Sequence, residues 1–201
     1  MLSTRVSYDN AEKTLDSGLR ISFHDDGTSS SNHLLVLLHG LNSHSGTWRN
    51  NIPAFASLGW RTIGPTLPRV SREPTREDIE EYSMMIHELV FDKLGANEIS
   101  LIGNSMGGWI AMQVAVLFRD EVKHLVLEDS AGVDSYLPQK ISTPTLIVWG
   151  IRDETIPIRY ATELNSKINK SKLVTFETAG HVPHWEDPDG FNTTVKEFLR
   201  Q

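Results

Sequence analysis

A serine hydroxyl is a weak nucleophile until a base removes its proton, and the base is usually a histidine oriented by a carboxylate. One serine stands where such chemistry could occur: Ser105, in Gly103-Asn104-Ser105-Met106-Gly107-Gly108. The segment begins where the apolar run Ile99 to Ile102 ends. It leads into a stretch that is apolar nearly all round: Trp109, Ile110, Ala111, Val114, Ala115, Val116, Leu117 and Phe118. A serine between a buried strand and a buried helix must occupy a sharp, strained turn with its hydroxyl above the sheet, and the flanking small residues let strand and helix approach closely. The helix N-terminus would then aim free N–H groups and the positive end of its dipole at the reaction centre. His181 and His184 are candidate bases. Asp153 and Asp129, each just past an apolar run, are candidate carboxylates. The sequence has no cysteine, so a thiolate nucleophile, disulfides and Cys-based metal sites are excluded. Neither standard Gly-rich phosphate loop is present.

The run Gly103 to Gly107 between strand and helix, followed by an acid and then a histidine, resembles the α/β-hydrolase superfamily. The resemblance spans about Gly18 to Leu199. It implies Ser105 as nucleophile and His181 as base, because Ala179-Gly180-His181-Val182-Pro183-His184 looks like the superfamily's C-terminal catalytic loop; His184 is then a lining or surface residue. Asp153, in Trp149-Gly150-Ile151-Arg152-Asp153-Glu154-Thr155-Ile156-Pro157, matches the usual acid loop, whereas Asp129 holds a position some relatives use; the loop match favours Asp153. The oxyanion hole would be the N–H of Met106 and that of Leu41, in His39-Gly40-Leu41-Asn42, which is similar to the family's His-Gly motif. His39 is expected to be a structural hydrogen-bonder. The implied reaction is hydrolysis of a carboxylic ester or thioester through an acyl-enzyme, with no metal and no organic cofactor. Two alternatives stand beside it: a carbon–carbon bond hydrolase or lyase on the same residues, whose elbow Asn104 and Gly107-Gly108 resemble, and a ligand receptor or scaffold with little turnover.

These residues need a frame. Leu34 to Leu38, Ile99 to Ile102, Leu125 to Leu127 and Leu146 to Val148 are short apolar runs, as expected of parallel strands buried on both faces. Arg61 to Ile63 and Leu173 to Phe176 are weaker strand candidates, and Gly18 to Phe23 an antiparallel edge. Thr75 to Asp78 reads as a capping box with Asp in place of Glu, ahead of Ile79, Tyr82, Ile86, Leu89 and Val90 at helical spacing and a stop at Gly95. A helix near Pro157 carries Tyr160, Ala161, Leu164 and Ile168, and the last opens at Asp187-Pro188 with Phe191, Val195, Phe198 and Leu199 on one face. The alternation predicts one α/β domain over 1–201, a mostly parallel sheet with helices on both faces. Thr28 to Asn32 reads as a polar, Ser-rich surface loop.

The stretch Asp129 to Thr143, where many superfamily members insert a helical lid, has no room for a helical hairpin. The chain therefore resembles the lidless, minimal members, with a shallow cleft suited to extended or carrier-borne acyl groups as well as small molecules. The wall after Arg61 to Ile63 also departs from the family pattern, reading Gly64-Pro65-Thr66-Leu67-Pro68-Arg69-Val70-Ser71. His44, Trp48, Trp109, Tyr136 and Trp185 are candidate cleft residues. A formal net charge of -7 argues against nucleic acid as the partner. No run is long enough to span a membrane, no signal peptide is evident in Met1 to Asn10, and the absence of cysteine fits a cytoplasmic protein. A homodimer is compatible with the sequence.

Overall fold

The computed structural model of the chain describes residues 9–26, 33–57 and 59–201. The Ser-rich stretch Thr28 to Asn32 lies outside the described residues. Eight strands form one sheet: β1 (Asp9–Thr14), β2 (Arg20–Asp26), β3 (His33–Leu38), β4 (Arg61–Pro65), β5 (Glu98–Asn104), β6 (Val122–Glu128), β7 (Thr145–Gly150) and β8 (Ser171–Phe176). Their order is β1-β2-β4-β3-β5-β6-β7-β8. From β4 to β8 every pairing is parallel, and β2 runs antiparallel to both β1 and β4.

The strand alternation divides the core between the two faces of the sheet. On β3, Leu34, Val36 and Leu38 pack with α2 (Arg76–His87), α3 (Met106–Leu117) and α4 (Arg159–Lys167), while Leu35 and Leu37 pack with α1 (Ile52–Ala56) and α6 (Pro188–Leu199). All five side chains are essentially inaccessible to solvent, worth up to about 2 kcal/mol each in transfer from water. α2 starts on the expected capping box: the Thr75 hydroxyl accepts from the Asp78 N–H, and the Asp78 carboxylate accepts from the Thr75 N–H. It continues as a π-helical turn over Glu88–Lys93 to the expected stop near Gly95, whose φ is 70°.

One expectation is corrected. The segment at Gly18 to Phe23 is not the sheet edge: β2 is covered by β1, the true edge, whose sequence DNAEKT carries no apolar alternation. The helix after Ser105 is buried along most of its length, as expected of one apolar nearly all round; it opens to solvent at its last turn, where Leu117 is 48% exposed, and Phe118 lies beyond its end. Between β6 and β7 the chain makes only a 3₁₀ turn, Pro138–Lys140, as expected for a chain without a lid. Among the described residues no helix is long and apolar enough to cross a membrane.

Candidate active site

The parallel strands deliver the candidate residues to one edge of the sheet. Ser105 follows β5 at its centre, Asp153 follows β7 and His181 follows β8. Carboxyl ends of parallel strands are where α/β sheets commonly place their sites.

Ser105 adopts φ 54° and ψ −118°, a conformation that costs on the order of 1–3 kcal/mol and persists only where its surroundings hold it. Its N–H donates to the Glu128 carbonyl at 3.0 Å, and its own carbonyl accepts from Gly108, Trp109 and Ala131 at 3.0, 3.3 and 3.0 Å. The helix must also pass very near β3: a Cβ on Gly107 would sit 2.2 Å from the Leu38 carbonyl oxygen. Glycine is required there. Asn104, buried before the serine, donates from Nδ2 to the His181 carbonyl at 3.0 Å and so ties the elbow to the histidine loop.

Asp153 is buried, and its carboxylate is fully engaged. Oδ1 accepts from the Thr155 and Ile156 N–H groups at 2.7 and 2.9 Å, and Oδ2 lies 2.8 Å from His181 Nδ1. Burial pushes this carboxyl up; the hydrogen bonds from His181 and Ile156, with the neighbouring Asp129 carboxyl, outweigh it and hold it below the ordinary carboxylate range. The His181 loop is clamped from behind by Glu186, whose carboxylate accepts from the Gly180 and Val182 N–H groups at 3.0 and 3.2 Å.

Ser105 and His181 line one cleft of about 530 Å³ together with Leu41, Met106, Trp109 and Ile156. Among the described residues, the Leu41 and Met106 N–H groups donate to no other protein group. Glu73 and Pro74, just past the Gly64 to Ser71 segment that departs from the family pattern, also line this cleft. Of the aromatic candidates only Trp109 faces this cleft. Trp48 is fully buried in the core, His44 and Trp185 line a smaller neighbouring cavity, and Tyr136 packs under Arg76. A larger cavity of about 580 Å³ lies between the β1–β2 turn and α2, away from the elbow; it shares no lining residue with the Ser105 cleft.

His184 is neither a lining nor a surface residue. It is wholly buried, with Nδ1 2.7 Å from Glu128 Oε2, its N–H 2.6 Å from Glu128 Oε1, and Nε2 2.7 Å from the Thr47 hydroxyl. Trp48 stacks on the ring at 3.9 Å. Glu128 thus binds the elbow through its carbonyl and the histidine loop through its carboxylate. The signal in the sequence was an acid ending an apolar strand, since a buried carboxylate requires a partner. His39 is buried as expected of a hydrogen-bonder: Nδ1 donates to the Gly40 carbonyl at 2.7 Å and Nε2 accepts from Leu67 at 2.9 Å. Burial lowers its pKa to about 4, the Gly40 bond opposing. The unfolded chain takes this proton near pH 6.5 and the folded chain near 4. Stability is therefore expected to fall as pH drops through that window, by up to about 3 kcal/mol from this group. Urea unfolding at pH 7 and pH 4.5 should show a larger acid loss for the wild type than for His39→Gln; equal losses would refute the assignment.

One oxygen each of Asp129 and Asp153 and a ring nitrogen of His181 lie within 4.8 Å of one another, a grouping that could hold a metal ion. The contact from His181 Nδ1 to Asp153 has the length of a hydrogen bond, which engages that nitrogen with a proton.

A family model for the alpha/beta hydrolase fold matches residues 33–138 and 132–188. A 2-hydroxy-6-oxononadienedioate/2-hydroxy-6-oxononatrienedioate hydrolase of Burkholderia vietnamiensis is 24% identical, covering 91% of this chain and 92% of the relative. That alignment runs over 269 residues, more than the 201 of this chain, so the relative carries segments this chain lacks. Among solved structures, a predicted CIB-like hydrolase from Thermoplasma acidophilum superposes with a TM-score of 0.85 at 25% identity, covering 96% of this chain and 99% of that one. A meta-cleavage product hydrolase of Pseudomonas fluorescens shares the fold, with a TM-score of 0.80 at 19% identity over 94% and 97% of the two chains. The chain belongs to the alpha/beta hydrolase fold family and is a hydrolase.

Proposed function

We propose that this hydrolase cleaves carboxylic esters or thioesters through Ser105, His181 and Asp153. The observation that carries the reading is a serine on a strained elbow, in the same cleft as a histidine whose far nitrogen is paired with a buried carboxylate. Asp153 fixes the tautomer with the proton on Nδ1, leaving Nε2 as the base. Nε2 takes the Ser105 proton as Oγ attacks the carbonyl carbon, and the electron pair moves onto the carbonyl oxygen. The Leu41 and Met106 N–H groups receive that oxyanion, each such donor being worth roughly 10²–10³ in rate. Collapse expels the alcohol or thiol, which leaves with the proton from His181. Water then attacks the acyl-enzyme by the same steps, releasing the acid and Ser105. The short β6–β7 connection leaves the cleft without a helical cover, which suits extended or carrier-borne acyl groups; a second copy could cover it in a homodimer. A cytoplasmic setting goes with the cysteine-free sequence.

A second reading, carbon–carbon bond hydrolysis, is supported by the relatives named as hydrolases of 2-hydroxy-6-oxo dienoates, beside the elbow likeness of Asn104 and Gly107-Gly108. The deciding experiment is steady-state hydrolysis of p-nitrophenyl esters from acetate to dodecanoate beside a vinylogous diketone. Sustained ester turnover with a chain-length optimum supports the first reading. Turnover of the diketone alone replaces it with the second, and a single burst without turnover removes both.

A further inference from the structure

Asp129 is the acid that the triad leaves unused, yet the fold invests in it. It is fully buried, sits at φ 43°, and is pinned by its N–H to the Val148 carbonyl and by Oδ1 to the Gly150 N–H, both at 3.0 Å. Its other oxygen, Oδ2, has no N–H or O–H donor. What that side chain does meet is the Asp153 carboxyl: an oxygen of each lies within 4.8 Å of the other and of a His181 ring nitrogen.

Two ionised carboxylates this close in a buried site repel, and neither has a hydrogen to give the other. One of the pair must carry a proton. Asp153 takes two backbone N–H groups and faces His181, so three donors favour its anion. Asp129 has the single N–H of Gly150 and is buried beside Glu128, a carboxylate already engaged by His184. The groups facing it are therefore Glu128 on its own strand, Asp153 after β7 and His181 after β8; the one cationic candidate, His181, is turned to Asp153. We propose that Asp129 is a positioning residue, a proton-bearing carboxylic acid that donates to Asp153 and keeps Asp153 the anionic, oriented partner of His181. Burial, then the Glu128 charge, then the Asp153 carboxyl push the Asp129 carboxyl up to about 10, in keeping with a proton retained across the neutral range.

The inference rests on Asp153 and His181 as acid and base, but its first test is independent of turnover. Infrared spectra at pH 7 are expected to show the carbonyl stretch of a buried protonated carboxylic acid in the wild type and its loss in Asp129→Asn. A wild type without that band, or a band that survives in Asp129→Asn, overturns the proposal even if esters are hydrolysed. The second test is the acid limb of kcat/KM for an aryl ester. Asp129→Ala removes the donor, Asp153 then binds the imidazolium more strongly, and the limb should move up by about half a pH unit. Asp129→Asn keeps an N–H donor for Asp153 and an oxygen for Gly150, and should restore the wild-type limb. Both variants shifting alike, or neither shifting, contradicts the positioning role. Should Asp129→Ala fail to fold, the infrared comparison decides alone. Absence of ester turnover with the band present would sink the ester reading and leave the proton on Asp129.

Discussion

Replacing Ser105 with alanine is expected to lower ester turnover by roughly 10⁴–10⁶-fold, which is the scale for removing a nucleophile that acts as a unit with its base. The fold should survive. The hydroxyl caps no N–H of α3, and the elbow is held by main-chain bonds to Glu128, Gly108, Trp109 and Ala131 that alanine keeps. The thermal midpoint is therefore expected within a few degrees of the wild type, and an uncleaved ester should bind as before. This pairing matters, because a lost rate with an unchanged melting curve separates chemistry from unfolding. A fluorophosphonate should label the wild type once, with the added mass on the peptide containing Ser105, and should not label Ser105→Ala. Equal turnover by the two proteins would place the nucleophile elsewhere and remove the acyl-enzyme at Ser105.

The elbow was legible because its requirements are local. Gly107, where an added Cβ would lie 2.2 Å from the Leu38 carbonyl oxygen, is visible as a glycine at a fixed spacing from the serine. The central strands were legible because burial on both faces makes them continuously apolar, and the start of α2 because capping chemistry is confined to four residues. β1 was not legible. It is held by main-chain pairing to β2, and Glu12, Lys13 and Thr14 are exposed, so little constrains its side chains to alternate. The partnership of His184 with Glu128 was hidden for another reason: the two are 56 residues apart and meet only because β6 ends beneath the loop that follows β8. The same holds for Asn104, whose bond to the His181 carbonyl joins residues 77 apart. Pattern reading finds groups that satisfy each other along one element; it does not find those that close across the sheet.

The choice between Asp153 and Asp129, which the sequence left to a loop likeness, becomes a measurable asymmetry. Asp153→Asn is expected to reduce kcat/KM by roughly 10³–10⁴-fold. An amide at this position can donate to His181 Nδ1, which favours the tautomer with its proton on Nε2 and so removes the base that Ser105 needs. Stability should change little, because the amide oxygen can still accept the Thr155 and Ile156 N–H groups that Oδ1 now takes. Asp129→Asn should cost far less, since the amide reproduces both bonds assigned to a protonated Asp129: an N–H toward Asp153 and an oxygen for the Gly150 N–H. The two acids lie in one cluster with His181, so the test does not turn on proximity but on which carboxylate carries the charge. A collapse of activity in Asp129→Asn with Asp153→Asn nearly intact would reverse the assignment. A wild-type-like Asp153→Asn would show that His181 needs no carboxylate here, and the base would have to be sought in a different pairing.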